Sequence, residues 1–242
     1  QVIPALLAGL ALGYIELQLK RIVPSYLYLV VVPVCSLILA VFLAHAFIGP
    51  FGRLIGDGVA FAMRHLMTGS FAPIGAALFG FLYAPLVITG VHQTTLAIDM
   101  QMIQSMGGTP MWPLIALSNI AQASAVVGII IVSRKENERE ISVPAAISAF
   151  LGVTEPAMYG INLKYRFPML CAMIGSCLAA LLCGLYGVMA NGIGVGGLPG
   201  ILSIQTGYWQ VYGIAMIIAI FVPLVLTTFM YQRKARQGAL QI

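Results

Sequence analysis

Four long stretches without a charged residue constrain this chain more than any other feature. No Asp, Glu, Lys or Arg occurs in residues 22–52, 65–98, 100–133 or 167–232. A helix of about 20 apolar residues crosses the hydrocarbon core of a membrane. Because each stretch exceeds that length, the sequence predicts an all-α protein whose helices cross a membrane several times.

The composition excludes most other classes of protein. Only 8% of the 242 residues are charged, whereas an average soluble domain has about 25%. The chain therefore lacks the polar surface of a soluble enzyme, a disordered tail or a nucleic-acid-binding protein. Its apolar stretches do not alternate with polar residues, which argues against an outer-membrane barrel. The four cysteines show no CxxC or metal-ligand spacing, and the sequence predicts neither a metal site nor a cofactor.

The charges also predict where the helices lie and how they are oriented. The predicted helices cover residues 1–19, 25–48, 70–90, 113–133, 167–190 and 209–232. Short basic clusters follow at residues 20–21, 134–139, 164–166 and 233–236. The positive-inside rule places these clusters in the cytoplasm and the uncharged stretch 191–207 on the opposite side. Since the chain begins at Gln1 inside an apolar run, without Met or a signal peptide, we expect it to be the later part of a longer protein.

The segment 141–163 has cytoplasmic charges on both flanks but is too short for two crossings. The sequence therefore predicts a re-entrant hairpin that enters and leaves from one face. Helix-breaking residues divide it, namely Pro144, Gly152, Pro156 and Gly160. Broken backbone at membrane depth is tolerated only where it is buried in protein or lines a cavity. This geometry marks a candidate binding site.

The segment 91–112 is too polar to face lipid, and its path is open. Three predicted helices separate the cytoplasmic clusters at 20–21 and 134–139, so a fourth crossing is required. A broken helix crossing within 91–112 supplies it, whereas a second re-entrant hairpin there leaves the crossing to another segment, such as 49–66. The polarity favours the hairpin, but the count of crossings does not decide between the two.

Residues 49–66 interleave charged and apolar side chains. Arg53 and Asp57, for example, alternate with Phe51 and Leu54. This pattern predicts an amphipathic helix lying in the membrane interface. A connector between a scaffold and a mobile part, and a surface helix with no moving role, are equally good interpretations.

Glu155, in the motif GVTEP, is the first candidate for chemistry. A carboxylate in an apolar stretch is costly and marks a functional site by default. As an acceptor of charge-assisted hydrogen bonds it suits the hydroxyl groups of a sugar. A structural ion pair or a helix cap is the alternative, and the next cation in the sequence is Lys164.

Other polar residues near the two segments are further candidates. His92, in GVHQT, can take a proton from a hydroxyl group, because histidine changes charge near neutral pH; its alternative is a structural histidine. Asp99 either binds substrate or holds the segment together. Several amides and hydroxyls have two interpretations, either hydrogen bonds to a polyol or contacts between helices: Gln93, Thr94, Asn119, Gln122, Thr154 and Asn162. The glycine-rich stretch 192–200 lacks the Lys and Ser of a phosphate-binding loop and is predicted to be a plain loop.

Three motifs carry a family resemblance. These are GVHQTTLAIDMQMI, ISVPAAISAFLGVTEPAMYGINLKYRFPML and NGIGVGGLPGIL. They resemble the IIC membrane domain of bacterial phosphotransferase system sugar permeases, in the glucose-type superfamily and nearest its trehalose-specific members. The resemblance implies uptake of trehalose or a related disaccharide, with phosphorylation to trehalose 6-phosphate. It also implies that His92 and Glu155, which occupy the family's motif positions, contact the sugar and carry the chemistry.

The resemblance further implies partners and an arrangement of parts. The phosphoryl group comes from a phosphocysteine on a soluble IIB domain, supplied in turn by a IIA domain and a phosphocarrier protein. The chain is then an enzyme only together with IIB, and is a homodimer among the lipids of the bacterial inner membrane. Residues 1–48 form the end of a scaffold and dimer-interface part, 49–69 a connector, and 70–242 the sugar-binding transport part.

The chain departs from the family in one respect that matters for the reaction. None of its cysteines resembles the phosphorylated cysteine of IIB, so we expect none to carry the phosphoryl group. Without the resemblance, the residues also fit an ion-coupled secondary sugar transporter with Glu155 or Asp99 as a proton relay. A membrane scaffold that binds no sugar is the third possibility.

Overall fold

The computed structural model describes residues 2–50, 61, 65–133 and 136–236. Within these residues the chain is helical and has two isolated β-bridges but no strand. Five helical stretches are long and apolar enough to cross a membrane: Ser25–Ile48, Gly69–Ile88, Met111–Val132, Phe167–Tyr186 and Thr206–Ala235. The predicted all-α, multi-pass architecture is therefore confirmed, and these five stretches match the last five predicted helices.

The main helices of the described residues are α1 (Val2–Ile22), α2 (Tyr28–Leu43), α3 (Ala72–Ile88), α4 (Gln93–Met106), α5 (Met111–Val132), α6 (Glu136–Phe150), α7 (Phe167–Tyr186) and α8 (Trp209–Arg236). They form two compact units, Gln1–Ala62 and Met63–Ile242. The predicted connector 49–69 contains the boundary between the units. Most of its amphipathic helix lies outside the described residues.

The first unit consists of α1 and α2, and a π-helical turn at Ala44–Ile48 extends α2. The buried side of α2 is a narrow stripe of Val32, Ser36 and Ala40, each one turn after the last. The hydroxyl of Tyr28 donates a hydrogen bond to the carbonyl of Lys20, at 2.5 Å, and so ties the start of α2 to α1. Most of the rest of α2 is exposed and apolar, as expected for a helix in lipid.

Helix α5 is the centre of the second unit. Every residue from Met111 to Val126 is buried on all sides of the helix, which is typical of a helix surrounded by others. Small residues allow the surrounding helices to approach closely. A methyl group on Gly80 of α3 would lie 2.6 Å from the Cβ of Ala180 on α7, and one on Gly175 of α7 would lie 2.3 Å from Pro223 on α8.

The helices of this unit have two distinct ends. At the first, Ala190 bridges to both Thr109 and Ile204, so the start of α5, the end of α7 and the start of α8 meet there. We call it the uncharged end, because residues 191–207 carry no charge. At the other, α5 and α8 end and α7 begins, close to Lys164 and Arg233, and we call it the basic end.

Helix α6 and the segment after it form a hairpin with both ends at the basic end. Helix α6 runs to a tip at residues 151–154, and residues 155–165, through a π-helical turn at Met158–Asn162, bring the chain back. The return is closed by the hydroxyl of Tyr165, which donates a hydrogen bond to the carboxylate of Glu138. This is the path expected for 141–163 from charge alone. Re-entry into a membrane by this hairpin stays a prediction.

The segment 91–112 holds one helix, α4, and not two arms. After α3 the chain turns at residues 89–92, where Gly90 has a φ of +73°, and α4 then returns toward the uncharged end. Pro110, just after α4, lines a small cavity with Ala72 and Ala76 from the first turn of α3. At about 1.5 Å per residue, the 14 residues of α4 span roughly 21 Å. A broken crossing within 91–112 requires a helix that runs toward the uncharged end, and α4 runs in this direction. The depth of α4 in a membrane stays a prediction.

Candidate binding site

A cavity of about 180 Å³ lies inside the second unit, between α3, α4, α5 and the tip of the α6 hairpin. Five residues that the sequence offered as candidates line it: His92, Gln93, Asn119, Thr154 and Glu155. The other lining residues are Tyr83, Val87, Leu96, Trp112, Ile115, Gly152 and Gly196. The structure thus brings the GVHQT and GVTEP motifs, about 60 residues apart in sequence, to one site.

The hairpin tip reaches the cavity because glycines allow two backbones to touch. Gly152, with a φ of +101°, lies against Gly196, and a methyl group on it would be 2.9 Å from that backbone. A methyl group on Gly197 would lie 2.1 Å from the carbonyl oxygen of Phe150. The Nδ2 of Asn119 also donates a hydrogen bond to the carbonyl of Gly152, at 3.3 Å. The glycine-rich loop, which sequence reasoning treated as a plain connection, is therefore part of the cavity wall.

Glu155 provides an open carboxylate at this site. It begins a single helical turn, Glu155–Ala157, directly after the tip, and its side chain is exposed. Among the described residues no cation lies within salt-bridge distance of it. The structure thus gives no support to the ion-pair alternative. Its oxygens are available to accept hydrogen bonds from a ligand.

His92 lies across the cavity, at the start of α4, and is only partly exposed. Its Nε2 is 3.0 Å from the amide nitrogen of Gln93, while its Nδ1 is buried with no partner in the described part of the chain. With the Gln93 amide as donor, Nε2 accepts and the neutral imidazole carries its proton on Nδ1. The ring also meets Tyr83 edge-on, with centroids 6.4 Å apart and planes at 80°.

Asp99 does not line the cavity, although sequence reasoning ranked it as a candidate. Its side chain is fully buried, and its Oδ1 accepts a hydrogen bond from the hydroxyl of Thr109. The same hydroxyl accepts the backbone N–H of Met111, at 3.1 Å. These contacts connect α4 to the start of α5 and support the structural one of the two roles considered for Asp99.

Two further candidates also lie outside the cavity lining. The hydroxyl of Thr94 donates to the carbonyl of Val91, at 2.7 Å. Asn162 is fully buried, and its Nδ2 donates to the carbonyl of Gln122, at 3.3 Å. In this conformation both side chains hold the protein's own backbone.

Sequence reasoning missed two aromatic residues of the cavity, Tyr83 on α3 and Trp112 on α5. Both are more than nine-tenths buried. A usable signal was present, because tyrosine and tryptophan combine an apolar ring with a polar group that needs a partner when buried. In an apolar helix, however, the same residues are also typical of the membrane interface, and the sequence does not separate the two positions.

A second missed feature is the buried carboxylate of Glu138 at the basic end. It accepts hydrogen bonds from the hydroxyls of Ser133, at 2.6 Å, and of Tyr165, and lies 4.0 Å from the Nζ of Lys164. Burial raises the pKa of the Tyr165 hydroxyl, and its bond to Glu138 raises it further. The sequence placed Glu138 in a charged loop, where burial is not expected. We call Ser133, Glu138 and Tyr165 the basal cluster.

The fold and the cavity together define a class of protein. Apolar helices long enough to cross a membrane surround a cavity lined by a carboxylate, an imidazole, amides, a hydroxyl and two aromatic rings. Such groups bind solutes that are rich in hydroxyl groups through charge-assisted hydrogen bonds and ring contacts. The molecule is therefore a multi-pass membrane protein with a candidate site for a polar solute.

Within that class, the chain belongs to the EIIC family of the phosphotransferase system, whose family model matches residues 1–176. The resemblance drawn from the three motifs is thus confirmed. Family and apolar helices together make it a multi-pass protein of the bacterial inner membrane.

Three curated relatives are similar over nearly the whole chain. The trehalose-specific EIIBC component of Escherichia coli (strain K12) is 87% identical over all 242 residues, which cover 51% of that relative. That of Bacillus subtilis (strain 168) is 44% identical over 96% of the chain and 49% of the relative. The sucrose-specific EIIBC component of Pasteurella multocida (strain Pm70) is 40% identical over the same shares. The chain spans about half the length of these relatives.

Proposed function

We propose that this chain is the sugar-carrying membrane component of a phosphotransferase system permease, and that it takes up trehalose and delivers it for phosphorylation to trehalose 6-phosphate. The observation that carries the proposal is the meeting of Glu155 and His92 at one cavity. Relatives named for trehalose are 87% and 44% identical, and one named for sucrose is 40% identical. Both sugars are nonreducing disaccharides, and the identities favour trehalose.

In this proposal the cavity holds the sugar with its 6-hydroxyl toward Glu155 and His92. The carboxylate of Glu155 accepts hydrogen bonds and so orients the hydroxyl. The hydroxyl oxygen then attacks the phosphorus of a phosphocysteine on a separate IIB domain. An O–P bond forms and the S–P bond breaks. The hydroxyl proton passes to Nε2 of His92 as general base, after the Gln93 amide that donates to this nitrogen has moved aside. The thiolate remains on the IIB cysteine.

The cavity wall offers a route for the sugar. The loop around Gly196 and the tip of the α6 hairpin both line the cavity and lie against each other. Movement of the tip away from that loop would admit sugar, and movement of the hairpin as a unit would expose it to the cytoplasm. The phosphorylated product carries new negative charge beside Glu155, and this repulsion favours its release.

The proposal includes partners that act outside this cavity. None of the four cysteines lines it, so the phosphoryl group comes from IIB, which is recharged through a IIA domain and a phosphocarrier protein. We also propose that the permease is a homodimer. The exposed apolar side of α2 offers a surface that either a second copy or lipid can cover.

Identification of the product tests the proposed function. Membrane vesicles that contain the chain are supplied with a phosphorylated IIB domain and labelled trehalose, and the internal sugar is separated by charge. We expect trehalose 6-phosphate, and no uptake when IIB is unphosphorylated. Accumulation of unchanged trehalose would instead establish the ion-coupled transporter. Sucrose as the labelled sugar, in parallel, measures the preference between the two disaccharides.

A further inference from the structure

Tyr83 is the cavity residue whose placement the proposed chemistry leaves unused. It lies in the middle of α3, only 6% exposed, and lines the cavity. No described residue makes a hydrogen bond to its hydroxyl. The hydroxyl oxygen is not one of the fully buried atoms that lack a partner among the described residues, so it keeps some accessible surface although the rest of the side chain is buried. A phenol with an apolar ring and an accessible hydroxyl can bind a polar ligand. Its position therefore points to a partner that enters the cavity.

The surroundings of the Tyr83 hydroxyl specify the chemistry of that partner. Tyr83 lines the cavity together with Glu155, whereas Asp99 does not line it. Asp99 already accepts the Thr109 hydroxyl, whereas Glu155 is open. A sugar hydroxyl can donate to Glu155 and at the same time accept from Tyr83, since each hydroxyl both donates and accepts. The pair of side chains can thus hold one hydroxyl group from two sides.

The ring of Tyr83 has a second contact, with the imidazole of His92. The two rings meet edge-on, at 6.4 Å and 80°, which is a favourable arrangement for aromatic pairs. The ring of Phe79, one turn earlier on α3, packs against the ring of Tyr83, with ring centroids 5.6 Å apart. The orientation of His92 therefore depends on α3 as well as on Gln93.

We propose that Tyr83 is both a sugar-binding and a positioning residue: its hydroxyl hydrogen-bonds the sugar hydroxyl that Glu155 accepts, and its ring holds the imidazole of His92 toward that hydroxyl. This inference rests on the proposed function, because it places the sugar in the same cavity. The two roles belong to different parts of the side chain: the hydroxyl contributes to sugar affinity, and the ring orients His92.

Two substitutions separate these parts. Tyr83→Phe removes only the hydroxyl, so trehalose binding by the chain in membrane vesicles should weaken about two- to twelvefold, the range for one neutral hydrogen bond. Tyr83→Leu removes the ring as well, so it should also disturb His92. Tyr186→Phe is the matched control, because Tyr186 is exposed at the end of α7 and away from the cavity.

The imidazole signals of His92 report the ring contact without any assay of activity. The chain has three histidines, so selective labelling gives three sets of NMR signals, and His92→Gln assigns one of them. We expect Tyr83→Phe to leave the His92 signals in place, because the ring current is kept. Tyr83→Leu should shift them while the signals of His45 and His65 stay unchanged.

The outcomes separate this inference from the proposed function. If Glu155→Gln weakens trehalose binding but Tyr83→Phe binds like wild type, the hydroxyl role of Tyr83 is wrong and the site stands. If Tyr83→Leu leaves the His92 signals unmoved, the positioning role is wrong. If both Glu155→Gln and Tyr83→Phe bind like wild type, the sugar lies elsewhere and the proposed site itself is wrong.

Discussion

Glu155 lies at the tip of the α6 hairpin and Glu138 at its base, and the environments of the two carboxylates are opposite. Glu155 follows the tip, is exposed at the cavity and has no ion pair among the described residues. Glu138 lies in the first turn of α6, is 6% exposed, and accepts hydrogen bonds from the hydroxyls of Ser133 and Tyr165. The first carboxylate has acceptor capacity to spare, whereas that of the second is committed to the protein.

The contrast shows that burial does not identify the functional carboxylate here. A buried carboxylate is stable when hydrogen bonds replace the water it has lost, and the basal cluster supplies these bonds to Glu138. Its role is to close the base of the hairpin. Glu155 has no such bonds to the described part of the chain, and its free acceptors are what a hydroxyl-rich ligand needs. A variant at the tip should therefore lose sugar affinity, whereas a variant at the base should lose stability.

The largest effect is expected across the cavity from the hairpin tip, for His92→Gln. If His92 is the general base, phosphoryl transfer should slow by about 10²–10⁴-fold, while trehalose affinity should change by no more than about twelvefold. Single-turnover transfer and sugar binding are measured on the same variant, with phosphorylated IIB supplied. His45→Gln, in the first unit, is the matched control. Equal losses in rate and affinity would assign His92 a purely structural role.

Glu155→Gln should produce the next largest effect. The substitution preserves size but replaces the charged acceptor, so trehalose affinity should fall about ten- to a hundredfold, the range for a charge-assisted hydrogen bond. Thermal stability should remain that of the wild type, because the side chain of Glu155 bonds no described residue. Glu140→Gln is the control, an exposed carboxylate on α6. Wild-type affinity in the Glu155 variant would remove this residue from the site.

Glu138→Ala should show the reverse pattern. It leaves the hydroxyls of Ser133 and Tyr165 without their acceptor, so the free energy of unfolding should fall by about 2 kcal/mol. The folded fraction should still bind trehalose with wild-type affinity. Thermal unfolding in detergent, compared with Glu140→Ala, measures the first effect, and trehalose titration measures the second. A loss of affinity without a loss of stability would contradict the division of roles between a sugar-binding tip and a structural base.

The smallest perturbation tests whether the two ends of the hairpin are on one face of the membrane. Single cysteines at Glu140 and Lys164, in a cysteine-free background, should be labelled from the cytoplasm only, and one at Leu202 from outside. These positions are exposed, whereas a side chain at Gly196 would clash with Asn119. Transport should be retained. Labelling of Glu140 and Lys164 from opposite sides would make the segment between them a crossing.

The acids and amides show how far sequence reasoning reaches into the site. Asp99 and Glu155 are alike in sequence, since each is a carboxylate in an apolar stretch. Only the structure shows that the hydroxyl of Thr109, ten residues from Asp99, donates a hydrogen bond to one oxygen of Asp99. It also shows that no described residue bonds the carboxylate of Glu155. Similarly, Asn162 lies seven residues after Glu155, yet its amide bonds the backbone of α5 and not the cavity.

What the sequence determined by itself is the set of apolar helices and the family motifs. The free energy of transferring about 20 apolar residues into lipid is the sum of contributions from consecutive residues. It therefore depends little on what those residues contact in the folded protein. The tertiary structure decided which polar groups remain free. A hydrogen bond requires atoms from distant segments to meet within a few tenths of an ångström of about 2.9 Å. For this reason only the folded chain could commit Glu138 to Tyr165, leave Glu155 open, and bring Tyr83 from α3 to the same cavity.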